Sequence, residues 1–182
     1  MALKQQDTGE VRGVRLLLLR HAKSAWPEGV ADEERPLNGR GRAAALLIGD
    51  YLAEAKLIPD LALVSSARRT QETWALVRER LPRQPEMRIV AELYAASTGQ
   101  ILNVLQAVEP TSRTVLILAH NPGMQDLALA LSGGGDAASR ESVAAKYPTG
   151  ALAVIDFPAA QWSDVGRGMG RLDRFITPRA LG

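Results

Sequence analysis

Few residues in this chain have the reach for catalysis. Histidine occurs twice, as His21 and His120, and cysteine is absent. His21 follows the apolar run Arg15–Arg20, and His120 follows Thr114–Ala119. A third apolar run, Leu61–Val64, leads into Ser65-Ser66-Ala67-Arg68-Arg69. Imidazole and guanidinium groups at the ends of buried strands suit a phosphoryl group. Guanidinium forks bind phosphate oxygens bidentately. A neutral imidazole attacks phosphorus, and a second, protonated imidazole hydrogen-bonds the equatorial oxygens. Phosphoryl transfer is mainly positioning plus charge stabilisation, so this set needs no metal or cofactor, and none is expected.

The same counts exclude much. Without cysteine there is no disulfide framework, thiolate zinc site, iron–sulfur cluster or cysteine nucleophile. Two histidines cannot supply a three-imidazole metal site. The chain has no Asp-x-Asp and no Gly-x-x-x-x-Gly-Lys-Ser/Thr, which sets aside aspartyl-phosphate phosphatases and P-loop kinases. Gly133-Gly134-Gly135 with Ala138 nominally fits a dinucleotide fingerprint, but it follows a helical pattern rather than a strand and reads as a loop.

The elements that position these groups follow from periodicity. Four consecutive leucines, Leu16–Leu19, predict a strand buried on both faces. Leu61–Val64, Arg88–Ala91, Thr114–Ala119 and Gly150–Phe157 predict further strands. Helices are predicted from an Asn38 N-cap to before Pro59, over about 67–80, over 101–108, and after Pro122. Residues 132–148 read as a loop with a helical turn near 139–146, and 158–182 as a turn, an edge strand and a Pro-Arg end. Residues 1–13 read as a disordered lead without a signal-peptide core. Strands alternating with helices predict one α/β domain over 14–182, with a mostly parallel sheet between two helical layers. Binding sites in such sheets lie beyond the carboxyl ends of the strands.

Leu19-Arg20-His21-Ala22-Lys23-Ser24 resembles the Arg-His signature of the histidine phosphatase superfamily, also called phosphoglycerate mutase-like. The chain looks most like its SixA-type phosphohistidine phosphatases. The resemblance extends to Arg35-Pro36-Leu37, Gly41-Arg42, the block from Ser65 to Thr73, Leu93-Tyr94-Ala95, His120-Asn121-Pro122-Gly123 and Tyr147–Ala151. It implies a phosphoglycerate mutase-like α/β/α sandwich and a metal-independent phosphatase working through a phosphohistidine intermediate. By the same resemblance, His21 matches the nucleophile. Arg20 and Arg69 match the phosphate-binding arginines, and His120 matches the second histidine of the phosphate pocket. Arg68 is expected to point elsewhere. For a leaving-group acid, Glu92 is the nearest candidate and Asp126 a second; a solvated carboxylate is the alternative reading of Glu92. The implied substrate is a phosphohistidine-bearing protein. A small phosphate ester, or phosphoprotein binding with weak turnover, are the other readings.

Net charge is +2, with 22 basic and 20 acidic residues. That balance does not mark a nucleic-acid binder, and Arg167, Arg171, Arg174 and Arg179 read as a solvated edge rather than a nucleic-acid face. No apolar run reaches the ~18 residues of a membrane span. A cytoplasmic monomer is the expectation.

Overall fold

Leucines at four successive positions have side chains on both faces of a strand, so that strand requires cover on both sides. The computed structural model, which describes residues 13–182, provides it. The first strand, β1 (Val14–Arg20), buries Leu16 and Leu18 on one face and Leu17 and Leu19 on the other. The expected disordered lead falls, but for Gly13, outside the described residues.

The remaining elements are α1 (Gly39–Glu54), β2 (Leu61–Ser65), α2 (Arg68–Arg78), β3 (Glu86–Val90), α3 (Thr98–Gln106) and β4 (Thr114–Ala119). Then come α4 (Gly123–Leu131), β5 (Ser132–Gly135), α5 (Ala137–Ala145), β6 (Leu152–Phe157), β7 (Gly170–Ile176) and the short α6 (Pro178–Leu181). The strands form one sheet in the order β3-β2-β4-β1-β6-β7-β5. β1, β2, β3 and β4 pair in parallel, and β5 pairs parallel to β7. β6 is antiparallel to both its neighbours and alone runs against the rest. The expected mostly parallel sandwich is therefore the observed one. Ile48, Leu52, Trp74 and Val77 of α1 and α2 cover one face; Ile101, Leu105, Met124, Leu127 and Val143 of α3, α4 and α5 cover the other.

Two expectations for the last third of the chain are corrected. Residues 132–148 hold β5 and α5 rather than a loop with one helical turn. Ser-Gly-Gly-Gly carries almost no side-chain pattern, so pairing with β7 decides its conformation. The approach is so close that a Cβ on Gly133 would lie 1.9 Å from the Gly168 carbonyl oxygen. Asp136 caps α5 by accepting from the Ser139 amide at 2.7 Å. For the same reason β7 is no edge strand, because β5 covers its outer side.

The fold places three chemically marked strand ends side by side. β4 lies between β2 and β1, so Ser65, Ala119 and Arg20 end on one edge of the sheet. The chain reverses its direction of travel across the sheet at β4, which makes this edge a switch point. The segment after β1 is fastened to the start of α1. The Asn38 amide donates to the Lys23 carbonyl at 3.0 Å, and the Asn38 side chain accepts from the Gly41 amide at 2.8 Å. A Cβ on Gly41 would meet that Lys23 oxygen at 2.0 Å. Asn38→Ala is expected to cost about 1 kcal/mol through the lost cap, and Gly41→Ala about 1–3 kcal/mol through overpacking. Urea unfolding of both variants checks the order, which reverses if the Lys23 segment yields freely.

Candidate active site

The site grows out of those three strand ends. Beyond β1, the His21 amide donates to the Ala119 carbonyl at 3.1 Å, which ties the residue to β4. Its ring is buried, and Nδ1 lies 2.7 Å from the Ala22 carbonyl oxygen. A carbonyl only accepts, so Nδ1 carries the hydrogen and Nε2 keeps a lone pair. Burial lowers the His21 pKa to about 3; the Ala22 hydrogen bond opposes this, and His120, Arg69 and Arg20 add to it. The imidazole is therefore neutral at ordinary pH.

Beyond β4, His120 lies with its ring centroid 5.2 Å from that of His21. Its Nε2 is 2.7 Å from the Ser65 hydroxyl at the end of β2, while Nδ1 is buried without a partner. Burial, then Arg69, lowers its pKa to about 4, with Asp32 opposing and Arg20 adding a smaller push. The Tyr94 ring packs edge-on against it at 5.6 Å.

Both arginines of the site are fixed from behind. Arg20 donates through Nη1 to the Tyr147 carbonyl at 2.8 Å. Tyr147 is itself held by its hydroxyl donating to the Leu18 carbonyl at 2.6 Å. Burial, then the charge of Arg69, lowers the Arg20 pKa. Arg69, in the first turn of α2, donates through Nη1 to the Asp32 carbonyl at 2.7 Å and through Nη2 to the Asp32 carboxylate at 3.1 Å. The Nε atoms of Arg20 and Arg69 are buried and have no partner. Three buried nitrogens of the site, these two and His120 Nδ1, are thus without a partner.

Arg20, His21, Arg69 and His120 line one pocket of about 450 Å³, with Lys23, Ser24, Trp26, Arg35, Asn121 and Lys146 on its walls. Arg68 is turned away, exposed, with Nε 2.8 Å from Glu72. Glu92 is exposed on the turn Ala91–Leu93, and Asp126 is exposed on α4; neither lines the pocket.

Several residues to which the sequence assigned no role hold the site in shape. Asp32 accepts from Arg69, from Arg35 Nη1 at 2.9 Å and from the Tyr94 hydroxyl at 2.6 Å. The Tyr94 and Arg35 hydrogen bonds lower its pKa against a smaller effect of burial, with Arg69 assisting. Arg35 also bonds the Ala25 carbonyl and the Ser24 hydroxyl, and its guanidinium lies 3.2 Å over the Trp26 ring. Thr73 accepts from the Ala22 amide at 3.1 Å and donates to the Arg69 carbonyl at 2.6 Å, joining the two strand ends through one hydroxyl. The spacing of the block from Ser65 to Thr73 signalled Thr73. Nothing local distinguished Asp32 from its acidic neighbours Glu33 and Glu34.

The model of the histidine phosphatase superfamily, branch 1, matches residues 16–103, which carry Arg20, His21 and Arg69. An uncharacterized protein of Mycobacterium tuberculosis is 36% identical over 163 residues, spanning 88% of this chain and all of that one. The structure of the proposed phosphohistidine phosphatase SixA of Agrobacterium tumefaciens superposes with a TM-score of 0.77 at 30% identity, covering 91% of this chain and 98% of the other. The chain belongs to the histidine phosphatase superfamily. Within it the chain is of the SixA type: the corresponding SixA structure from Nakamurella multipartitia gives a TM-score of 0.80 at 25% identity, over 91% of this chain and 96% of that one. As in other members of this superfamily, the protein is a phosphatase.

Burial of neutral imidazoles has a consequence for stability. In the unfolded chain both histidines titrate near 6.5; in the folded one they titrate near 3 and 4. Between about pH 6.5 and 4 the unfolded state holds more protons, so stability falls as pH falls through that window. Urea midpoints measured from pH 7.5 to 4.5 are expected to drop, and to drop less in His120→Gln. Parallel curves for the two proteins would show that His120 is not held neutral.

Proposed function

We propose that this phosphatase removes the phosphoryl group from phosphohistidine carried on a protein, through a phosphorylated His21 and without a metal. The observation that carries the reading is a neutral imidazole with a free Nε2 in a pocket shared with Arg20, Arg69 and His120, each of which has a buried nitrogen that lacks an acceptor. A phosphoryl group is the acceptor those nitrogens suit. Arg20 and Arg69 supply guanidinium hydrogens to its oxygens. With the Ser65 hydroxyl donating to His120 Nε2, Nδ1 of that ring carries a hydrogen and donates as well. The incoming dianion would raise the pKa of His120 and favour its protonated form.

In this reading Nε2 of His21 attacks phosphorus in line. The bond from phosphorus to the substrate nitrogen breaks as the bond to Nε2 forms, and the departing ring, its other nitrogen protonated from solvent, leaves as neutral imidazole. Water then attacks phospho-His21, releasing inorganic phosphate and restoring the neutral ring. The substrate class follows from the leaving group. No carboxylate lines the pocket, and a protonated imidazole leaves without the strong acid that an alkoxide requires. The likeness to SixA-type structures supports the same substrate.

The test is a panel assay of the purified protein on phosphohistidine-bearing proteins and on simple phosphomonoesters, with and without a chelator. Turnover of phosphohistidine is expected, unaffected by chelation, and reduced at least ~10³-fold in His21→Ala. Arg69→Ala is expected to weaken vanadate binding about tenfold or more, as loss of a charge-assisted contact. Activity confined to phosphomonoesters would overturn the substrate class, and near-normal turnover by His21→Ala would overturn the nucleophile.

A further inference from the structure

Beside the phosphate pocket runs a larger groove of about 780 Å³, which shares Lys23, Lys146, Pro148 and Thr149 with it. Its walls come from the first half of α1, the end of α5 and the segment after it, the end of β7 and α6. Leu47 and Phe175 contribute apolar surface, and Leu47 is 37% exposed. Lys23, Arg40, Lys146 and Arg179 stand around that surface, all exposed. No aspartate or glutamate lines the groove. Elsewhere many basic side chains are neutralised: Arg68 pairs with Glu72, Arg83 with Asp60 and Arg88 with Glu109. Among the described residues the four cations of the groove form no ion pair.

We propose that this groove seats an acidic amphipathic segment of the phosphoprotein substrate, adjacent to the phosphorylated side chain; the inference rests on the phosphoprotein reading above. Continuity with the catalytic pocket places whatever fills the groove beside the transferred group. Small-molecule sites enclose their ligands among mostly apolar walls with a few polar groups. Here exposed cations surround an apolar patch, which is the layout of a protein interface. Unpaired like charges at such a rim favour an acidic partner by steering and by discrimination. An apolar patch bordered by cations suits a helix with one apolar and one acidic flank.

The probe is a labelled synthetic amphipathic peptide of about 20 residues with leucine on one face and glutamate on its flanks; its control replaces every glutamate with glutamine. Fluorescence anisotropy is expected to show the acidic peptide bound at least about tenfold more tightly than the control, a preference reduced by added salt. Arg40→Glu combined with Arg179→Glu should abolish that preference and leave kcat/KM on p-nitrophenyl phosphate unchanged. Arg40→Gln with Arg179→Gln should give an intermediate loss and serves if charge reversal impairs folding. Equal affinity for the two peptides, or a preference that survives both double variants, overturns the proposal. So does binding of tripolyphosphate through Arg40 and Arg179 without peptide binding, which would assign the groove to a small anion. Peptide binding is read without turnover, so the two readings fail separately. A peptide preference in a protein inactive on phosphohistidine would retain the acidic groove and remove the substrate class.

Discussion

Two guanidinium groups and two imidazoles are withdrawn from water together at one edge of a leucine-lined sheet, and the cost of that burial, increased by the charges of the arginines, is the constraint that the surrounding structure answers. Burial lowers the pKa of Arg20 and pushes His21 and His120 toward the neutral form; the charge of Arg69 adds to all three effects, and that of Arg20 to the two histidines. The charges act strongly because little water remains to screen them. Each group is therefore held from its far side. Tyr147 holds Arg20 through its carbonyl, Asp32 holds Arg69, Ser65 holds His120, and Ala22 holds His21. What is left is a set of buried nitrogens, Nε of Arg20, Nε of Arg69 and Nδ1 of His120, with nothing to bond. Such a site is poised for an anion, which relieves the repulsion and fills the empty acceptor role in one step.

The supports come from distant parts of the chain, and that explains the fold's economy. β4 inserted between β1 and β2 brings the two histidines to neighbouring strand ends. Thr73 then locks the start of α2 to the residue after His21. The loop carrying Asp32 and Arg35 is anchored on α2 as well, since the Leu37 amide donates to Glu72. A shift in any one of these elements would move an arginine relative to the nucleophilic nitrogen.

Much of this was legible in the sequence because it depends on pattern. The leucine run of β1 and the apolar run of β4 announce strands covered on both faces, and the histidines stand immediately after them. Arg69 was legible by its spacing from Ser65, and the turning away of Arg68 follows from its place on the exposed side of α2. The contact between Asp32 and Tyr94 was not legible, since it exists only once residues 62 positions apart meet. β5 was hidden for a different reason. Glycines have no side chain with which to declare a strand, and the close approaches to Gly168 and Leu172 that require Gly133 and Gly135 are tertiary contacts. The candidate acid Glu92 was suggested by position along the chain, whereas the side chain that reaches the site from that turn is Tyr94.

The central claim is that the free nitrogen of His21 receives the phosphoryl group. Rapid mixing with a phosphohistidine-bearing protein, alkaline quenching and mass-spectrometric mapping would test it directly. The account predicts a transient phosphoryl group on Nε2 of His21, formed before phosphate is released. A single turnover with no phosphoenzyme, or with the phosphoryl group on His120, would contradict it.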